Sequence, residues 1–369
     1  MSNLLAYFHC NHRSIGGILL AMLILSCNLT VAAGSINGLI FYANVIYANK
    51  SIYLPFREPN LHTIYIYWTN LNFGLDSCFI EGMDSYQKTW LSLAFPTYIV
   101  FIMFTIILLC KLSPKFAGII GRKNPVATLS TLLLLCYTYL LQVIITVASH
   151  AVLNYHDHTE IVWLQDATVK YGSTKHIPLI IIIVLNWIFG LTYTILLTFW
   201  QCLTKLSDCT GFKWVKNTKL ILFMETYHAP YRSKNRYWTG LLLFVRVILY
   251  ASAAINSSKV PKINLMLTII ITAFLLTLAT TQIYKKMWLN IVEVVTYYNI
   301  IVFSIAMFYF SDIRKEKYEI AVSYTSVSIS LLLFLAILAY HAKILCSEVF
   351  HHVQFKFNAI PILTMSLRA

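Results

Sequence analysis

The chain has 369 residues, of which 59% are hydrophobic and 11% charged, with a formal charge of +14 and a mean hydropathy of +0.69. A soluble domain carries about 25% charged residues, so this composition excludes a water-soluble globular protein and makes lipid the natural solvent. The eight cysteines form no CxxC pair and no zinc-type His/Cys spacing, which leaves no argument for a disulfide framework or a metal site.

In chain order, a short segment at 1–14 precedes a run of apolar windows about as long as a membrane crossing. They lie at about 15–48, 89–110, 125–152, 177–203, 237–256, 263–284, 291–310 and 320–341, and a tail follows at 342–369. The expected architecture is all-α, a single polytopic transmembrane helix bundle over 15–341 with about eight spans. The first window is long enough to be tilted, broken at "AAGSING", or two elements. It also fits a signal peptide, with Arg13, an apolar core and small residues near Ala33. Cleavage there leaves seven spans and an outside amino terminus. The continuing apolar run "INGLIFYANVIYA" favours the uncleaved form, with both ends inside.

Loop charge sets the orientation. The segment before the first span and those after spans two, four, six and eight hold most of the 28 Lys and Arg and few of the 14 acids. The intervening segments are balanced. By the positive-inside rule, the basic side and the tail are cytoplasmic. The +14 is thus a topology signal, and basic residues that flank spans rather than form one patch argue against nucleic-acid binding. Two glycosylation sequons, at Asn49 and Asn256, fall on the outer side of this scheme.

Two charges lie inside spans: Arg246, about 15 Å along its helix from Arg236, and Glu293, about 10 Å into its own. Embedded charges are costly, so each is expected to face the protein interior with a partner. The sequence suggests a direct Arg246–Glu293 pair, with the arginine bending toward the inner face. The segment 60–88 is aromatic and sets Asp76, Glu81 and Asp84 on the outer side. These acids either attract cations to a vestibule or belong to an interfacial segment. The inner loop 204–236 alternates basic and aromatic residues, as contact with anionic inner-leaflet lipid requires or as an ordinary positive-inside loop has. The histidines of "YHDHTE" are weak evidence for a metal. No phosphate-cradling glycine loop, GxSxG or HExxH occurs, so neither an enzyme nor a cofactor is expected.

The stretches "INGLIFYANVI" (36–46), "LNFGLDSCFIEGMDSYQKTWLSLAFPTYI" (71–99), "KHIPL" (175–179), "APYRSKNRYWTGLLLFVRVILY" (229–250) and "YTSVSI" (324–329) resemble one invertebrate family. It comprises the multi-pass C-terminal membrane regions of large cell-surface proteins that often carry EGF-like repeats. The resemblance runs from about 28 to 341, and Arg246 stands where the family also has an arginine. A weaker likeness to TRP-like and polycystin-type membrane regions accompanies it. The resemblance implies a plasma-membrane location. The start lacks the family's Cys-rich extracellular region, as a truncated member would.

Three function classes follow. The first is a TRP-like cation channel module, working as a homo-oligomer, suggested by the outer acids, Arg246 and the weaker likeness. Against a six-span pore design stands the short link "SDIRKEKYE", which leaves no room for a pore loop between the last two spans. The second is a non-conducting anchor or scaffold of a cell-surface protein. The third is a seven-span receptor after signal cleavage, for which DRY and NPxxY motifs are lacking. A transporter is a further reading, but no internal repeat supports it.

Overall fold

A computed structural model describes residues 30–34, 36–49, 84–114, 125–154, 159–210, 217–256 and 261–313, with separate helical positions between 321 and 343. The first described element is a single 3-10 turn, Val31–Ala33, after which Gly34 takes φ +76 and breaks the chain direction. The left-handed region is open to glycine because it has no Cβ. A Cβ here would also stand 2.7 Å from Cβ of Pro230. Of the three alternatives for the first window, the break at "AAGSING" is the one the fold takes, and it falls at Gly34. Beyond it runs α1 (Asn37–Ala48), in which every residue from Asn37 to Tyr47 is buried. At about 1.5 Å per residue α1 is roughly 18 Å long, too short to cross a hydrocarbon layer of about 30 Å. It is an internal helix, enclosed by other helices from end to end.

The other described helices are α2 (Ser85–Leu112), α3 (Pro125–Ala148), α4 (Ile177–Thr210), α6 (Trp238–Asn256), α7 (Pro261–Ala279) and α8 (Met287–Ile313), with the short α5 (Thr218–His228) between α4 and α6. Asp84 caps α2 by accepting the Gln87 backbone N–H at 2.8 Å, and Lys111 in the last turn complements the helix dipole. Helices α6 and α8 pack on α1, while α3 packs on α2, α4 and α6. Serine and threonine hydroxyls inside the bundle donate back to carbonyls four residues earlier, as Thr131 does to Ala127 at 2.8 Å and Ser304 to Ile300 at 2.7 Å. This satisfies the hydroxyls without a partner helix.

Among the described residues, five helices are long and apolar enough to cross a membrane: Ser85–Leu109, Val126–Ala148, Ile177–Ser207, Lys262–Ala279 and Met287–Tyr309. Their outward faces carry large apolar side chains, such as Ile181, Leu185, Ile188 and Phe199 on α4 and Ile270 and Phe274 on α7. Such stripes are costly in water and suit lipid, so the bundle is that of an integral membrane protein. The expectation of about eight spans is not reached among the described residues. The first window breaks at Gly34, α6 is not among the five, and the last window is described only at separate positions.

A three-stranded antiparallel sheet, order β1-β2-β3, stands where an outer loop was expected: β1 (His150–Asn154), β2 (Thr159–Trp163) and β3 (Asp166–Lys170). It replaces the end of the expected third span, which stops at Ala148. The register pairs His150 with Trp163 and Asn154 with Thr159. Trp163, fully buried, pins the sheet to the bundle by donating its indole N–H to the Thr146 carbonyl at 3.0 Å. At the opposite end, the segments before α6 and between α7 and α8 form a β-bridge, Tyr231 with Tyr284. The Arg232 N–H donates to Ile283 at 2.9 Å and the Lys285 N–H to Pro230 at 3.0 Å.

Candidate functional site

Buried polar side chains recur at successive levels of the bundle as a track, and α1 supplies its spine. Asn37, Phe41 and Asn44 lie four and three residues apart, so they share one face of the helix. Three layers can be distinguished, from the inner β-bridge toward the sheet side.

The inner layer centres on Glu293. Its carboxylate accepts from the Trp238 indole N–H at 3.2 Å, the Tyr284 hydroxyl at 3.0 Å and the Tyr297 hydroxyl. Gly38 of α1 lies against Oε2 of Glu293, where a Cβ would come within 2.6 Å. Beside it, the Tyr231 hydroxyl accepts from Asn37 Nδ2 at 2.9 Å and from Thr239 Oγ1 at 3.1 Å. Burial pushes that phenol up to about 12, so it remains a neutral donor and acceptor.

The middle layer holds Arg246, which is 2% exposed. Its guanidinium stands over the Phe41 ring, 5.9 Å from the centroid. The hydroxyls of Tyr250, Tyr137, Tyr297 and Tyr231 are within electrostatic reach. Nε and Nη1 are buried without a hydrogen-bond partner. The direct pair with Glu293 is not formed, which corrects the expectation from the sequence. Glu293 bonds Trp238, and Trp238 lies eight residues, about 12 Å, below Arg246 along α6. Side chains on both parallel-running helices lean toward the helix N-terminus. Glu293 reaches the inner layer, and Arg246, leaning the same way from a higher start, stays over Phe41. The two charges still feel one another through the low-dielectric interior.

Above Arg246, Asn44 Oδ1 accepts from Thr138 Oγ1 at 3.1 Å, and its carbonyl accepts the Tyr250 hydroxyl at 3.3 Å. Gln142 Nε2 donates to the Tyr250 oxygen at 3.2 Å. The outer layer follows at Asn49, whose Oδ1 accepts from Asn264 Nδ2 at 2.5 Å while its own Nδ2 donates to Val45 at 3.0 Å and Thr268 at 3.3 Å. Ser252 completes the layer through Asn264. Asn49 is 1% exposed. A buried amide with both ends engaged cannot accept a glycan, so the sequon at Asn49 is structural. Asn256 ends α6, and its side chain lies outside the described residues.

Of the outer acidic cluster expected from the sequence, only Asp84 falls among the described residues. Asp76 and Glu81 lie outside the described residues. Asp84 is spent on capping α2, and the Gln87 N–H holds its carboxyl below the usual carboxylate range. Lys175 stands 3.5 Å away, so Asp84 adds little free negative charge. Among the described residues no three His, Cys, Asp or Glu side chains gather as a metal site. Sequence reasoning singled out the two charges but missed the tyrosines and asparagines that make them a track. The seven-residue spacing of Asn37 and Asn44 in an apolar run was the available signal.

No family model matches the chain, and neither a curated protein nor a solved structure does.

Proposed function

We propose that the chain is a channel-like ion-translocating membrane module in a closed state, with the track beside α1 as its route. The observation that carries this reading is the succession of buried polar layers along α1. Glu293, Arg246, Asn44 and Asn49 follow one another along the bundle, and embedded polar groups in membrane proteins mark ion or substrate pathways. The route is closed because neighbours occupy one another's hydrogen bonds and Phe41 fills the middle. On this reading the chain has no enzymatic activity. It belongs at the plasma membrane with the invertebrate family it resembles, works as a homo-oligomer, and meets anionic inner-leaflet lipid through 204–236.

The full-length chain reconstituted in liposomes tests the route. We expect ion flux above that of protein-free vesicles, and its loss in Asn44→Leu, which replaces the polar step above Arg246 with an apolar one. Absence of flux from folded, inserted wild-type protein would overturn the reading. A non-conducting anchor would then stand in its place, a role favoured by the complete burial of α1.

A further inference from the structure

Arg246 is a cation without a counter-ion at contact distance, in the middle of a membrane bundle. Its buried Nε and Nη1 have no hydrogen-bond partner, and Phe41 offers only a ring face. The nearby carboxylate is already engaged by Trp238, Tyr284 and Tyr297. Nearby phenols point their bonding elsewhere: Tyr137 to Thr194 at 2.9 Å and Tyr250 to the Asn44 carbonyl at 3.3 Å. A buried guanidinium left in this state is strongly disfavoured, since each unmet N–H and the charge itself have lost their water.

We propose that Arg246 binds a small monovalent anion, of halide or nitrate size, within the bundle. One negative charge balances the unpaired guanidinium, and an acceptor-only ion answers its unmet N–H donors. The surroundings favour a small ion: the group is enclosed, with the buried Phe41 ring 5.9 Å away and the buried Tyr250 and Tyr297 nearby. Charge sets the direction of entry. Glu293 guards the inner side, whereas the steps at Asn44, Asn49 and Asn264 on the outer side carry no charge. The site stands on its own geometry, and only the route by which the ion arrives rests on the translocation reading.

The test is thermal unfolding of the purified full-length chain, followed by tryptophan fluorescence, in sodium chloride or sodium gluconate at equal ionic strength. We expect a saturable rise in Tm with chloride, no such rise with gluconate, and loss of the difference in Arg246→Gln. A crystal grown in bromide should place anomalous signal against the guanidinium, and it decides the matter if Arg246→Gln does not fold. Equal Tm in both salts, a chloride effect that survives in Arg246→Gln, or a guanidinium bonded to water alone would overturn the proposal. Chloride stabilisation without liposome flux would instead sink the translocation reading and leave the site standing.

Discussion

Gly38→Ala probes the inner layer most directly. The added Cβ would sit 2.6 Å from Oε2 of Glu293 and 3.5 Å from Oγ1 of Thr296. The carboxylate must yield by most of an ångström, and that takes Oε2 away from the Tyr284 hydroxyl, now at 3.0 Å. A hydrogen bond to a charged group contributes about 1.5–3 kcal/mol in soluble proteins, while interhelical bonds in a membrane average about 0.6 and reach about 1.7 kcal/mol. Against this loss, alanine gains up to about 1 kcal/mol over glycine as a helix former. Taking the upper membrane value plus some strain, the net change is a destabilisation of about 1 kcal/mol. In a Glu293→Ala background the obstructing carboxylate is gone, and the same substitution should stabilise by up to about 1 kcal/mol. The assay is a double-mutant cycle on apparent Tm in detergent. The sign reversal is the point. A Gly38→Ala that raises Tm in the wild-type background, or lowers it equally in both, refutes the packing described here.

Gly34→Ala should cost about 2–3 kcal/mol, combining about 1–2 kcal/mol for a left-handed non-glycine with the encounter at Pro230, and an unchanged Tm would contradict the break. Asn49→Gln should leave the glycoform unaltered, since Asn49 is buried; a mobility shift lost in that variant would show the residue is exposed in the cell. Stability should fall with acid through His228, whose Nδ1 donates to the Arg236 carbonyl at 2.6 Å and whose Nε2 is buried without a partner. Burial lowers its folded pKa below the ordinary 6.5. The unfolded chain thus takes up the proton first, so stability is full above about pH 6.5 and declines below it toward the folded value. Glu225 and Arg236 flank this histidine with opposite charges that pair at 2.8 Å and largely cancel; a pH dependence of Tm from 7.5 to 5.5 no weaker in His228→Asn would exclude it as the cause. Finally, Glu293→Leu should not rescue Arg246→Leu, because the two side chains bond different neighbours, and a double variant with recovered yield would restore the direct pair.

Apolar length made most of the helices legible. The windows at 89–110, 177–203 and 291–310 each lie within a helix of the fold, because a lipid-facing helix must be long and apolar whatever it packs against, and 237–256 matches α6 to within one residue. The sheet escaped notice for the opposite reason. "HAVLN" continues the apolar run of α3, and only the β-branched pairs in "TEIVW" and "DATVK" hint at strands. Depth was also readable and rotation was not. Counting residues put Arg246 and Glu293 near one level, but which neighbour a side chain meets depends on azimuth and on its lean toward the N-terminus. In the fold Glu293 meets Trp238 and Arg246 meets the Phe41 ring.

Why a helix as short as α1 carries so many polar groups follows from where it sits. Helices that touch lipid must present apolar side chains outward, so their polar residues can only turn inward. A helix enclosed on all sides has no lipid-facing stripe to maintain, and Asn37, Asn44 and Asn49 can serve as the inner partners of that polar surface. The same enclosure makes α1 the element that must shift if the track is to open. Its ends are held differently: the start by the Gly34 turn packed on Pro230, the finish through the amide contacts of Asn49 with α7. Weakening the finish with Asn264→Ala removes two interhelical bonds, to Asn49 and to Ser252, about 0.6 kcal/mol each by the membrane average, and leaves the charged layers intact. Liposome flux should rise in that variant while Tm falls only slightly. Flux that drops, or stays at the wild-type level with the same small loss of Tm, would mean that α1 does not gate the track.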